Sequence, residues 1–535
     1  MNVKNVLRII FCTVLSTSCS PDFMRSQHAA PVKGLVATGH DSRIDLEWTP
    51  SSDSSDPYAV FRSADVDGPF EKLNARPHRP HVYSDFVGKN NTTFFYHVCA
   101  SGGAEAVSEA GTVSATTQAM DDEELLTSVQ EATFRYFWHY GHPVSGLARE
   151  RTDHGDDKCT TGGSGFGLMA IVVGVERGFV SREAAAGRML KTMTFLEEKA
   201  ERFHGVWSHW LDGETGETIP FARKNGVRAD NGGDLVETSF LIQGMLTVRQ
   251  YFDREDPVER EIRNRITRMW REVEWAWYLR EPDGKRLYWH WSPEHGWLMD
   301  HPIVGFNECM ITYLLAMASP THPIPPECYE EGWVGDPEEY TNPDTYYGYR
   351  QWVGWPMGGR LFFTHYSFLG FDPRGWRDPY CNYFENNRNI SLIHRAYCIQ
   401  NPKQFDGYGA EAWGLTSCVT PDGYRGLDPL TRDNGTIAPT AALSAMPYTP
   451  EESMTALRHY YHDLGPRLWG PFGFYDAFNQ DRDWFAEDYL AIDQGPIICM
   501  IENHRTGLLW KLFMSNPEIE PMLKSAGWFR TAENL

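Results

Sequence analysis

The sequence predicts a mainly α-helical chain, an (α/α)6 toroid preceded by an all-β sandwich, and three observations carry that expectation. About a dozen stretches after residue 121 repeat their apolar residues at helical spacing. The segment before them switches to short strand-like runs separated by Gly, Asp, Asn and Pro. At 535 residues the chain exceeds one ordinary core, so a large helical ring with an accessory piece is the natural division.

In chain order, residues 1–18 read as an export leader, with Lys4 and Arg8 ahead of the mostly apolar run 9–17 and small residues leading to Cys19. Ser16-Thr17-Ser18-Cys19 resembles a bacterial lipoprotein cleavage site, which makes Cys19 the expected lipid attachment point, although Leu15 stands one position further from the cysteine than usual. The expectation is an exported protein of a Gram-negative bacterium, periplasmic or anchored at the outer membrane, that meets a membrane only through that lipid; simple secretion is the alternative. Residues 20–30 read as a tether. Over 31–118 the runs 43–48, 58–61 and 93–98 alternate like strands. This segment resembles a fibronectin type III domain, which would put Trp48 and Tyr96 in its core, and a spacer is its simplest role.

From Asp121-Asp122-Glu123-Glu124, an acidic helix start, the catalytic-sized region 121–535 begins with a helix to about 140. Helical patterns follow at roughly 165–178, 181–201, 234–253, 256–279, 305–318, 357–369, 380–400, 437–445, 450–463 and 493–513. The connections are long and rich in Gly, Pro and aromatics, and loops of that length usually build a site. The glycine-rich run 162–167 lacks a phosphate-binding Lys and reads as a turn before a helix.

Composition narrows the chemistry. A 14% aromatic share with 19 Trp and 25 Tyr exceeds what a core needs and suits stacking on sugar faces. A net charge of −23 argues against nucleic acid, anionic membranes and polyanionic glycans, and favours a neutral glycan. Apart from Cys12 and Cys19, the cysteines show no metal-finger or CxxC spacing; they read as scattered thiols, with one or two disulfides left open. Neither metal nor cofactor is expected. No nucleophile elbow, zinc-protease helix, Walker loop or dinucleotide fingerprint is present.

The candidate chemistry lies in four stretches. In DNGGDLVETSFLIQGML, residues 230–246, Gly232-Gly233 permits an abrupt turn, and Asp234 and Glu237 share the first turn of a helix. Glu308 stands at the start of an apolar helix, where greasy neighbours keep a carboxyl protonated as a general acid requires. Asp493 sits at the mouth of another helix. Polar-aromatic loops carry Glu411 and Trp413, and Asp433 and Asn434, suited to orienting sugar hydroxyls; His365 is either a substrate contact or a satisfied core histidine. Trp207, Trp210, Trp289, Trp291, Trp352, Trp355 and Trp413 are candidate sugar platforms, each taken singly better explained by packing.

Five ordered motifs, GGDLVETSFLIQGML, GFNECMITYLLAMASPTHPI, YGAEAWGLTS, DNGTIAPTAALSAMPYTPEESM and AIDQGPIICMIENHRTGLLW, resemble the glucoamylase-like domain of glycoside hydrolase family 144, the bacterial β-1,2-glucanases. The resemblance runs from about residue 123 to the C-terminus. It implies an (α/α)6 toroid, cleavage of β-1,2-glucan to sophorose or sophorooligosaccharides with inversion, and functional carboxylates at Asp234, Glu237, Glu308 and Asp493. On that footing Glu308 is the expected acid and Asp493 the base, with Asp234 and Glu237 binding sugar hydroxyls or tuning Glu308, and with the roles of Glu237 and Glu308 exchangeable. A phosphorylase or another β-glucan hydrolase of the same fold, and a non-catalytic glycan-binding lipoprotein, are the competing readings.

Overall fold

The computed structural model describes residues 32–49, 57–100, 111–152 and 157–531. The leader, Cys19 and the tether lie outside the described residues. The described residues form two compact units: those up to Leu35 and within Trp48–Arg79 and Phe94–Ser114 make one, and those within Val36–Glu47 and Pro80–Thr93 and from Ala115 onwards the other.

Among the described residues seven strands precede the helices: β1 (Lys33–His40), β2 (Arg43–Thr49), β3 (Tyr58–Ser63), β4 (Glu71–Lys72), β5 (Val82–Phe86), β6 (Thr93–Ala100) and β7 (Val113–Thr116). They form a three-stranded sheet in the order β1-β2-β5 and a four-stranded one in the order β4-β3-β6-β7. In the smaller unit Trp48 meets Tyr58 edge-on at 5.0 Å, and Trp48, Val60, Tyr96 and Val98 are buried. The predicted core aromatics are therefore inside.

The larger unit is mainly helical: α1 (Asp122–His139), α2 (Thr161–Glu176), α3 (Arg182–Glu198), α4 (Leu235–Tyr251), α5 (Pro257–Glu272), α6 (Met310–Ala318), α7 (Tyr383–Gln400), α8 (Pro439–Leu443), α9 (Pro450–His462), α10 (Ala491–Arg505), α11 (Leu508–Met514) and α12 (Ile519–Ser525). Two kinds of helix alternate. Helix α5 buries a single stripe, Ile262, Ile266, Met269 and Trp270, and turns its charged face outward. Helices α2, α4 and α6 are buried nearly all round, so they form an inner layer. That layer closes on itself: α2 packs on α4 and α10, α4 on α6, and α6 on the 3-10 turn Tyr366–Phe368. Gly414, packed on both Leu361 and Ala441, bridges Leu361–Thr364 to α8, which packs on α10. The result is the expected toroid.

Several boundaries differ from the sequence expectation. Residues 162–167 are helical, not a turn. A Cβ on Gly165 would lie 2.2 Å from the Phe240 carbonyl, one on Gly244 would lie 2.2 Å from the Gly165 carbonyl, and one on Gly162 would lie 2.5 Å from a Glu237 oxygen. The glycines exist to let α2 and α4 touch backbone to backbone. Residues 357–369 form short 3-10 turns rather than an α-helix. The 256–279 pattern ends at Glu272 before a 3-10 turn, Trp275–Leu279, and 493–513 divides at Gly507, whose φ of +67° stops α10. All the described cysteines are free, and among the described residues no helix is long and apolar enough to cross a membrane.

Candidate active site

Starts of inner helices lie together at one end of the ring: the Gly162 amide at the head of α2 bonds Glu237 in the first turn of α4, and a Cβ on Gly163 would meet Ala491 at the head of α10. Backbone N–H groups and helix dipoles make that end favourable for carboxylates. Asp234 caps α4: its Oδ1 accepts the Val236 and Glu237 amides at 3.1 and 2.9 Å, and its Oδ2 contacts His209 Nδ1 at 2.8 Å. Gly232 and Gly233 are needed here for close approach rather than for a turn. A Cβ on Gly232 would lie 2.2 Å from the Trp291 carbonyl, and one on Gly233 would lie 2.1 Å from the Tyr278 hydroxyl, because Gly233-Asp234 pairs with His290-Trp291 as a short antiparallel ribbon.

Glu237, one turn into α4, reaches the start of α2, where its Oε2 accepts the Gly162 amide at 2.7 Å and the Thr160 hydroxyl at 3.3 Å. Burial raises its pKa, and the Asp234 charge adds to that against the opposing pull of His209. Burial alone would raise Asp234 too, but the imidazoles of His290 and His209 more than offset it. Burial opposes protonation of His209, yet Glu237 and Asp234 drive its pKa up to about 9, so an imidazolium lies between the two acids. His209, Asp230 and Asp234 hold ligand-type atoms within 4.8 Å of one another. The 2.8 Å His209–Asp234 contact is the length of a charge-assisted hydrogen bond. Two ligands on one tetrahedral ion with bonds of about 2.0–2.1 Å would stand about 3.3 Å apart, so the cluster reads as an ion pair rather than a metal cage.

Glu308 occupies the turn before α6. The Ser367 hydroxyl holds its carbonyl, and Ser367 Oγ in turn accepts the Ile311 amide at 3.0 Å. Burial pushes the Glu308 carboxyl up to about 7, with Glu237 adding to the rise and its own backbone and Arg360 opposing it. Asp493 lies in the first turn of α10, whose backbone at that point accepts the Thr440 hydroxyl of α8 at 2.9 Å. Burial and the neighbouring Asp476 hold its pKa well above the ordinary carboxylate range. Tyr366 lies in the field of both: burial, Asp493, Tyr424, Glu308 and Asp476 together keep its hydroxyl protonated. Glu237, Glu308 and Asp493 thus stand at or just before the starts of α4, α6 and α10, with Glu308 in the field of Glu237 and Tyr366 in the fields of Glu308 and Asp493.

The other candidates divide. Asp234 is fully buried and its oxygens are occupied, so it holds His209 rather than offering itself to a sugar. His365 is 1% exposed and burial lowers its pKa to about 3; it is a neutral core histidine beside His394. Trp413 and Trp207 are completely buried, with no ring face for a sugar. Asp433 accepts the Tyr397 and Tyr408 hydroxyls at 2.7 and 2.5 Å and braces its own loop, while Asn434 Oδ1 accepts the Thr436 amide. Glu411 is an exposed side chain 3.9 Å from His459. Trp291 packs edge-on against His204 and Trp277.

Sequence reasoning missed several residues that share the mouth. Phe221, 45% exposed, stacks on His209 with centroids 3.8 Å apart. Tyr424, 48% exposed, sits on the hairpin Ser417–Thr420/Gly423–Gly426 beneath the Arg151 guanidinium and within the field of Asp493. These are open ring faces beside carboxylates, the arrangement on which sugars stack. Nothing in their local sequence marks them, since each is brought in by a loop.

Comparison with known proteins follows the same lines. The glycoamylase family model, described as "Putative glucoamylase", matches residues 300–517. An exo β-1,2-glucooligosaccharide sophorohydrolase (non-reducing end) of Parabacteroides distasonis is 46% identical over 508 residues, 90% of this chain and 69% of that one. The chain belongs to the glucoamylase-like β-1,2-glucanase family of glycoside hydrolases. Within this family, a crystal structure of a β-1,2-glucanase from P. distasonis superposes with a TM-score of 0.87 at 44% identity, covering 94% of this chain and 73% of that one. An endo-β-1,2-glucanase from Chitinophaga pinensis, solved with sophorotriose and glucose, gives a TM-score of 0.74 at 49% identity over 77% of this chain and 99% of its own. The family membership covers the toroid and its carboxylate-bearing mouth.

Proposed function

We propose that this glycoside hydrolase cleaves β-1,2-linked glucan or its oligosaccharides with inversion and releases sophorose. The observation that carries the reading is that Glu308 and Asp493, on different inner helices, both press on the Tyr366 hydroxyl. A proton-bearing carboxyl and a candidate base thus share one mouth. In the proposed reaction the Glu308 proton passes to the leaving glycosidic oxygen. Water attacks the anomeric carbon from the opposite face and yields its proton towards Asp493, a geometry that calls for carboxyls roughly 6.5–9.5 Å apart. Glu237, by this reading, contacts the sugar at the cleavage point and helps keep Glu308 protonated, while Asp234 holds His209 in place beside it.

The exo-acting relative is 46% identical over 90% of the chain and the endo-acting one 49% identical over 77%, so product analysis decides between the two modes. The test is a time course on linear β-1,2-glucan and short sophorooligosaccharides. Sophorose alone from the first time points, with the new reducing end released as the α-anomer, is the expected result. A spread of lengths would replace exo by endo action, a β-anomer would remove inversion, and no new reducing ends would remove the substrate. Export with lipid at Cys19 belongs to the same proposal, supported by the leader-like residues 1–18. Cys19→Ala is expected to abolish fatty-acid labelling and release the protein from the membrane fraction; unchanged labelling would reject that assignment.

A further inference from the structure

Behind the mouth, Asp476 and Asp493 form a buried carboxyl pair. Both oxygens of Asp493 and Oδ1 of Asp476 are buried with no hydrogen-bond donor, while Asp476 Oδ2 accepts the Val419 amide at 2.6 Å. The two carboxyls stand within hydrogen-bonding reach of each other. Two carboxylate anions cannot occupy that contact, whereas two carboxyls sharing one proton can. We propose that Asp476 is a positioning residue that holds a single proton in common with Asp493, so that the pair receives the proton of the attacking water. This rests on Asp493 being the base of the proposed hydrolysis.

The surroundings fit a pair of net charge −1. Glu150 and Arg151 face Asp493 from the segment before α2, Asp488 faces Asp476, Tyr366 faces both from the inner 3-10 turn, and Cys418 and Tyr424 face both from the hairpin. Burial pushes Asp476 up to about 7, with the Val419 amide and Arg151 opposing and Asp488 adding to the rise. In the step itself, the water oxygen bonds to the anomeric carbon as one of its O–H bonds breaks, and that proton makes the pair doubly protonated and neutral. The bond from the anomeric carbon to the glycosidic oxygen breaks towards that oxygen, which takes the Glu308 proton. Afterwards the pair returns one proton to solvent and Glu308 recovers one.

Asp476→Asn keeps an acceptor for the Val419 amide and removes the second titrating carboxyl. Two profiles test it: kcat/KM against pH on sophorooligosaccharides, and Tm against pH without substrate. Both carboxyls titrate above their unfolded range, so the folded chain holds more protons than the unfolded one, and stability declines as pH rises through the pair's pKa. In Asp476→Asn the acidic limb of kcat/KM is expected to move up by about one pH unit or more, because ionised Asp493 loses the carboxyl O–H that it shares in the pair. The decline of Tm between about pH 5 and 9 is expected to become shallower. An unmoved limb together with an unchanged Tm slope in the folded variant would overturn the proposal. If the unsubstituted enzyme released no sugar, the hydrolysis reading would fail while the Tm slopes still decided the shared proton. Should Asp476→Asn not fold, the Tm slope of Asp493→Asn decides in the same way.

Discussion

Glu308→Gln is expected to lower kcat/KM on β-1,2-glucan by about 10²–10⁴-fold, the contribution of a positioned general acid. The amide keeps the size and hydrogen bonding of the side chain but has no proton to give to the leaving oxygen. The sign of the pH dependence follows from burial, which pushes the Glu308 carboxyl up to about 7. The acid form persists below that value, so the unsubstituted enzyme should lose activity as pH rises through it, and the variant's residual activity should lack that limb. Stability moves the other way. Above its folded pKa the ionised carboxyl is held in an unfavourable setting, whereas the amide is neutral at every pH, so Glu308→Gln should melt no lower than the parent at alkaline pH. A folded Glu308→Gln variant with undiminished turnover would transfer the acid role elsewhere, Glu237 being the nearest candidate.

Asp45→Ala is expected to destabilise the larger unit by about 3–5 kcal/mol at neutral pH, measured as the loss in denaturant unfolding free energy. Asp45 is 3% exposed and accepts from Arg43 Nε at 2.8 Å, Arg135 Nη1 at 2.7 Å and the Ser84 hydroxyl at 2.7 Å. Arg43 is completely buried and lies over the Trp469 ring at 4.3 Å. Removing the carboxylate would leave two guanidinium groups in the interior with their common counter-charge gone. Burial alone would raise the Asp45 pKa, but Arg43 and Arg135 hold it well below the usual carboxylate range. Its contribution is therefore present above the unfolded carboxylate pKa of about 3.9 and is lost as pH falls through the depressed folded value. The cost of Asp45→Ala should accordingly shrink in strong acid. A loss under about 1 kcal/mol at neutral pH would mean that the two arginines find water or other partners.

Local sequence determined the parts of this protein. Apolar residues at helical spacing over 165–178, 234–253 and 256–279 identified helices, and the strand-like runs at 43–48 and 93–98 identified strands, because periodicity reports which faces of an element can be buried. The acids of first turns were legible for the same local reason, as helix N-termini attract them. Only the tertiary structure decided which of those acids meet. Asp476 neighbours Asp493, Tyr366 feels both Asp493 and Glu308, and Phe221 stacks on His209, each through closure of the ring or the course of a loop. Burial was likewise beyond the sequence: Trp413 and His365 have the chemistry of sugar contacts but point into the core, and the glycines at 162–167 serve helix contact rather than a turn. Side-chain type and spacing fix what a residue can do, whereas its access to substrate and its charged neighbours depend on packing between segments hundreds of residues apart.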